Sequence, residues 1–417
     1  MRKGRNCLSL LLALLLLLSV PVLARAAGED GSDSSSEQKA KNLSKFIQFE
    51  SCGHADLKGK LINSALTAPE TFVPYERFNI SWDPTVAARW LCIQWGTMPQ
   101  HVRLLQYDPN DVLLAETAAD EEYDTILPLA EGTAKVSFLT ERPGMTIAHL
   151  GLYSEGVLPD PFYGWKKSPG HLDYLIFSTH PDDDTLFMGG IIPTYGAEQG
   201  YVGTVAYVTT PNRLRVNEAV MGVWAMGSVY YPFFLEFRDL NDQRKVEHRN
   251  KFLPEAVTLA VVRFLRQQRP LVVFTHDVNG EYGHWQHKIV SAAVLEACKL
   301  AADESYDPAS ARAYGTWEVK KCYIHLYPEN PLVMDISTPL VSMGGKTALE
   351  IAGIAYAKHR TQQNGHHLIQ GEKDTYAMNR FGMAYGTVEA GQDVFDNIDP
   401  KLLVSSLYPD FASAPAA

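Results

Sequence analysis

The segment Ser178-Thr-His-Pro-Asp-Asp-Asp184 crowds one histidine and three carboxylates into a single turn. Carboxylates this close repel one another, so packing alone does not select them, whereas a bound cation relieves the repulsion. His180 and Asp183 are three apart around a turn stiffened by Pro181, so both can reach one metal. Asp182 points elsewhere and stays free as a base. A helix start capped near Thr185 accounts for one acid, but not for three acids with a histidine. A second segment, Asn279-Gly-Glu-Tyr-Gly-His-Trp-Gln-His287, sets His284 and His287 three apart. At the start of a helix that spacing puts both on one face. One can then bind metal while the other faces a substrate, and Gly280 and Gly283 let the loop approach closely.

Each segment follows a run that reads as a strand buried on both faces, Asp173–Ser178 and Leu271–Thr275. Between and after them, helices are expected at Leu186–Glu198, Arg215–Met226, Lys245–Gln268 and His287–Ala302. Further strands are expected at Gly203–Val208, Val229–Leu235 and Lys321–Tyr327. Strands alternating with helices predict an α/β domain over 170–395, a Rossmann-like, doubly wound, mostly parallel sheet. Such sheets place ligands at the carboxyl ends of their strands, where both segments lie.

The two segments resemble the signature of the PIG-L/LmbE-like de-N-acetylases, an HPDD turn followed at a distance by HxxH. The resemblance covers about residues 170–395. It implies that His180, Asp183 and His287 bind zinc, that Asp182 is the general base, and that His284 assists the transition state. Arg215-Val-Asn-Glu218 matches the family's RxxE helix, which implies that Arg215 contacts substrate; an intrahelical pair with Glu218 is the competing reading. Asp239, after the third strand, stands where the family places an acid that holds sugar hydroxyls. Lys358-His-Arg-Thr-Gln362 resembles an HxxQ segment that helps close family pockets. Asp184 stands where Glu is usual, and Gln286 where Asp often precedes the zinc histidine; the second departure is expected to loosen the orientation of His284. The implied activity is zinc-dependent hydrolysis of an N-acetyl group on an amino sugar or glycoconjugate.

Ahead of this domain, residues 45–160 carry short β-type runs between turns rich in Pro, Gly, Asp and Asn. They predict an all-β sandwich, jelly-roll-like. Its Trp90, Trp95, Tyr107 and Tyr153 either form a sugar-stacking face or fill the core. Residues 27–44 read as a disordered linker and 396–417 as a C-terminal tail. Residues 1–26 have the layout of a secretory signal: a basic start at Arg2, Lys3 and Arg5, an apolar run from Leu8 to Leu18, and small residues before a cleavage point after Ala26. Cleavage would remove four basic residues and no acidic one. That leaves 33 Lys+Arg against 48 Asp+Glu, a net charge of −15. Such a chain is a poor nucleic-acid binder. No later stretch is apolar enough to span a membrane, so an exported protein with no stable membrane insertion is expected. Four cysteines remain, Cys52, Cys92, Cys298 and Cys322. Two bridges or buried free thiols both fit that count.

Two other functional readings stand beside the deacetylase: a metal-dependent amidase on a non-sugar amide, and a carbohydrate-binding protein whose deacetylase-like domain is inactive. A glycosidase fits poorly, because Asp182, Asp183 and Asp184 are too close together to flank a glycosidic bond.

Overall fold

The structure is a computed structural model, and it describes residues 38–50, 57–62, 71–73, 77–120, 122–141, 145–210, 212–240, 242–363 and 369–400. The expected signal peptide, residues 27–37 of the linker, Cys52 and residues 401–417 of the tail lie outside these.

The N-terminal region contains β1 (Gln48–Glu50), β2 (Thr71–Val73), β3 (Arg77–Ser81), β4 (Trp90–Trp95), β5 (Val102–Tyr107), β6 (Leu113–Ala119), β7 (Asp124–Pro128), β8 (Lys135–Thr140) and β9 (Met145–Tyr153). They form two antiparallel sheets, ordered β1-β3-β8-β5-β6 and β2-β9-β4-β7. Alternate residues of both sheets meet in one core that includes Phe78, Ile80, Leu91, Ile93, Leu104, Phe138, Ile147 and Leu150. The alternation follows from strand geometry, which sends successive side chains to opposite faces. Trp95 and Tyr153 are buried, while Trp90 and Tyr107 are partly buried. Residues 39–43, expected in the linker, run along β9: Lys39 bridges Val157, Asn42 bridges Tyr153, and Leu43 N–H donates to Leu152 O. Their backbone groups satisfy an otherwise open strand edge, which composition alone does not reveal.

The second region is built on β10 (Leu172–Ser178), β11 (Gly203–Thr209), β12 (Phe233–Phe237), β13 (Pro270–Thr275), β14 (Lys321–His325), β15 (Pro331–Val333) and β16 (Arg380–Gly386). The order is β12-β11-β10-β13-β14-β16-β15; the first five strands are parallel, and β16 and β15 join antiparallel. Every residue of β10, β11, β13 and β14 is buried, as helices on both faces require.

The main helices are α1 (Asp183–Phe187), α2 (Arg213–Ala225), α3 (Pro254–Gln268), α4 (Trp285–Leu300) and α5 (Ala348–Tyr356). Two expected helices are shorter. The helix expected over Leu186–Glu198 stops at Phe187, and a wider-wound turn takes over at Ile192. The helix expected over Lys245–Gln268 is a single turn, Val246–Arg249, followed by α3. Pro254 has no N–H to continue an earlier helix and suits a first helical position, so it restarts the helix.

Cys92, Cys298 and Cys322 are buried free thiols. Among the described residues no helix is long and apolar enough to cross a membrane.

Candidate active site

Because β10 to β14 are parallel, their carboxyl ends share one edge, and the chemistry-bearing residues gather there. The turn leaving β10 carries His180 to Asp184. It is tied on both sides: Thr209 of β11 donates its N–H and hydroxyl to Thr179 O, at 2.9 and 2.7 Å, and Thr179 N–H donates to His276 Nε2 at 2.8 Å. Asp182 has φ 130° and ψ −29°, a conformation L-residues rarely adopt. Such strain persists only where the surroundings impose it.

Three atoms converge at this edge. His180 Nδ1 lies 3.0 Å from Asp183 Oδ2 and 3.1 Å from His287 Nε2, and the last two are 3.1 Å apart. Their other polar atoms are committed elsewhere. His287 Nδ1 lies 2.8 Å from Glu281 Oε2, and His180 Nε2 lies 3.3 Å from Gln286 Oε1. Both partners are acceptors, which assigns the ring protons to those nitrogens and turns unprotonated nitrogens toward Asp183. Three polar atoms facing one point need positive charge between them, a proton or a metal, and a His/Asp/His donor set fits a divalent metal. Burial alone would raise the Asp183 carboxyl, but His287 and His180 outweigh it and hold it well below the usual range. Against the cost of its burial, Asp183 and Glu281 push His287 up to about 10; a metal would replace that proton.

Glu281, which sequence reasoning quoted but gave no role, is the hub behind the cluster. It is fully buried and accepts from His276 Nδ1, His287 Nδ1 and His325 Nδ1, each at 2.8 Å. Burial opposes its charge, but His276, His287 and His325 together hold its pKa well below the usual range. His276 has both nitrogens engaged, by Glu281 and Thr179, so it supports the cluster from behind although it lies close to Asp183 and His287. His325 donates its second nitrogen to Ala377 O at 3.1 Å. Gly280 has φ 66°, and a Cβ there would meet His284 O at 2.5 Å. Only glycine therefore allows the chain to fold back and bring Glu281 under His287.

Around the triangle lie the remaining expected site residues. Asp182 Oδ1 accepts from Arg215 Nη2 at 3.0 Å, and the same guanidinium donates to Pro181 O. Burial, then the Asp183 carboxylate, raise Asp182 well above the carboxylate range, with Arg215 opposing. Arg215 and Glu218 are 3.9 Å apart, and Glu218 instead accepts from the N–H and hydroxyl of Thr361, at 2.8 and 2.6 Å. The RxxE pair thus ties the turn of Asp182 to the segment at 359–362. Asp239 Oδ1 lies 3.6 Å from His180 Nε2.

The His284 ring stands edge-on to His180 at 4.8 Å. Burial and the neighbouring His287 and His180 push it down to about 3, so it is neutral. Gln286 does not orient it. That side chain accepts from Leu240 N–H at 3.1 Å and donates to Arg238 O at 3.0 Å, clasping the loop that bears Asp239. Tyr282, left-handed at φ 46° and 45% exposed, forms an aromatic rim 5.9 Å from the His284 ring.

A sequence profile for PIG-L, described as GlcNAc-PI de-N-acetylase, matches residues 175–298. The 1D-myo-inositol 2-acetamido-2-deoxy-alpha-D-glucopyranoside deacetylase of Rhodococcus erythropolis is 30% identical over 237 residues, 45% of this chain and 77% of that protein. The protein of the same name from Geodermatophilus obscurus is 30% identical over 200 residues, 41% of this chain. The chain spans 66% of that relative's length, just under two thirds. Among solved structures, the N,N'-diacetylchitobiose deacetylase from Pyrococcus horikoshii is similar at TM-score 0.37 and 15% identity, covering 47% of this chain and 72% of that one.

Proposed function

Because the chain belongs to the PIG-L family of GlcNAc-PI de-N-acetylase-like proteins, we propose that it is a metal-dependent hydrolase that removes an N-acetyl group from an amino sugar or glycoconjugate. The observation that carries this reading is the convergence of His180 Nδ1, Asp183 Oδ2 and His287 Nε2 beside a buried, unligating carboxylate, Asp182. Relatives at 30% identity bear the name of a deacetylase of an N-acetylated glucosamine derivative, which supports the sugar substrate.

His180, Asp183 and His287 are the proposed metal ligands. A His/Asp/His set is typical of catalytic zinc, which keeps a further position for water, although Fe(II), Co(II) and Mn(II) accept the same donors. The metal, when bound, polarises the acyl carbonyl and lowers the pKa of water at the site to about 7. Asp182 takes the proton of the attacking water. Arg215 lowers its pKa, and a cation at the triangle would offset the opposing charge of Asp183. Neutral His284 offers a hydrogen bond to the oxygen that gains charge as the acyl carbon becomes tetrahedral; such a donor typically contributes about 3 kcal/mol. The C–N bond then breaks, the water oxygen stays on the acyl carbon, and the proton held by Asp182 passes to the departing amine. Asp239, at the rim, and the buried Arg215, beside Asp182, contact substrate hydroxyls. The N-terminal sheets hold the glycan beyond the reacting unit, and the signal-like start makes the protein extracytoplasmic.

Asp182→Asn tests the assignment. Acetate release should fall by about 10²–10⁴-fold, the range for a lost general base, with metal content unchanged. Activity near the wild-type level would contradict the role of Asp182.

A further inference from the structure

A cavity of about 630 Å³ opens between the two domains. Its walls come from the loop after β4 (Thr97, Met98, His101), from Glu141 and Thr146 near the β8–β9 turn, and from Glu236 of β12. Its volume lies within the range of about 300–1,000 Å³ that small-molecule sites occupy.

Glu236 reaches the cavity through a local distortion of β12. Tyr207 of β11 pairs with Phe234 and Thr209 with Phe237, so β12 carries one extra residue over that stretch. Glu236, within the bulge, has φ 61°, a left-handed conformation that costs a non-glycine residue free energy. Bulges of this kind re-aim side chains next to active sites. The hydroxyl of Tyr123, from the N-terminal domain, donates to Glu236 Oε1 at 2.8 Å and fixes the carboxylate there. Three residues farther on, at the same strand end, is Asp239, 3.6 Å from His180. Glu236, which lines the cavity, and Asp239, beside His180, thus lie three residues apart at one strand end.

The chemistry of the walls narrows the occupant. Among the described residues, the cavity is lined by two carboxylates, Glu141 and Glu236, and by no lysine or arginine. Threonine hydroxyls and the Gln100 amide alternate with the apolar surfaces of Met98, Pro99 and Met145. Carboxylates favour an ammonium, hydroxyls and amides favour a polyol, and the apolar surfaces suit the face of a pyranose ring. A de-N-acetylated amino sugar combines all three, and it is the product of the reaction proposed above.

We propose that this cavity is a subsite for a glucosamine-type unit, its ammonium held by Glu236 and Glu141, adjoining the N-acylated unit at the histidine–aspartate cluster. The inference rests on the deacetylase reading for the identity of that neighbouring unit. The protein then acts on a partly deacetylated glycan, working next to units that have already lost their acyl groups.

The test is calorimetric titration of the full chain with a glucosamine tetramer, which carries no acyl group and cannot turn over, in parallel with acetate-release assays. Wild-type protein should bind it, and Glu236→Gln and Glu141→Gln should each weaken binding at least about tenfold, as expected for loss of a charge-assisted contact. Glu141→Gln, outside the strained bulge, keeps the test decisive if Glu236→Gln fails to fold. Absence of tetramer binding, or equal binding by both variants, overturns the subsite and leaves the deacetylase reading to stand on its own assay. Binding that weakens in the variants without acetate release from any substrate supports the subsite and overturns the deacetylase reading instead.

Discussion

The residues nearest the chemistry differ in what fixes them. His180, Asp182 and Asp183 share one turn, so their spacing alone predicts that they lie together. Glu281 is different. Its three histidine partners come from the residue just after β13, from α4 and from β14, and only the folded sheet brings them to one carboxylate. A signal was present, since an acid between Gly280 and Gly283 in a loop that follows a buried strand is an unusual choice, but nothing in the spacing names its partners. Glu281→Gln cannot accept from all three rings as a charged group. Metal affinity should fall about 10–100-fold, the usual effect of losing a carboxylate behind a metal-ligating histidine. Titration with a competing chelator reads this directly, and an unchanged affinity would contradict the hub. Gln286 is expected to loosen the orientation of His284; its carbonyl faces His180 and Leu240 and its amide faces Arg238, so it makes no hydrogen bond to His284, whose Nδ1 is buried without a partner among the described residues.

Among the elements, strands were easier to read than helix boundaries. A mostly apolar run such as that of β10 or β13 has one good destination, a strand covered on both faces. The edge strand β12 alternates weakly and carries a bulge, and it starts at Phe233, four residues after the Val229 that the sequence predicts. Helix packing depends on close approaches that periodicity does not encode. Gly222 of α2 is one: a Cβ there would lie 2.8 Å from His359 Nε2, so α2 accepts the His359 ring only because residue 222 is glycine. His359, the histidine of the HxxQ-like segment, is fully buried, and neither ring nitrogen has a hydrogen-bond partner among the described residues. Burial, with Arg215 adding, pushes it down to about 3. Its unfolded value is near 6.5, so between those limits the folded chain binds fewer protons than the unfolded one. The associated stability is complete above about pH 6.5 and is lost as the pH falls toward 3. By pH 5 the loss from this residue is about 2 kcal/mol. Denaturant unfolding of His359→Phe should therefore show a smaller decline between pH 7 and pH 5 than wild type does. An unchanged decline would contradict a neutral, buried His359.

At the scale of the whole molecule, the sequence suggested two separable modules, but the structure joins them through buried polar contacts. Asp124 of β7 accepts from Gln94 at 2.9 Å and from Tyr231 at 2.7 Å, and pairs with Arg213 in the first turn of α2. Gln94 also donates to Asn217 of α2 at 2.9 Å. Two residues beyond Arg213 is Arg215, the partner of Asp182. The N-terminal domain thus grips the helix that touches the proposed base. No local pattern announces such a joint, because its members are spread from residue 94 to residue 231. Asp124→Ala strands a buried guanidinium and should cost about 3–5 kcal/mol in stability. It should also reduce turnover, because α2 loses its anchor. A melting curve and activity like those of wild type would show that the domains are only tethered.

The central claim is that His180, Asp183 and His287 hold a catalytic metal that drives de-N-acetylation. Metal analysis of the purified protein, with acetate release from a panel of N-acetylated sugars before and after chelation, tests it most directly. The account predicts about one divalent metal per chain and acetate release that chelation abolishes and metal addition restores. A protein that takes up no metal when zinc is added, or that releases acetate equally well after complete metal removal, would contradict it.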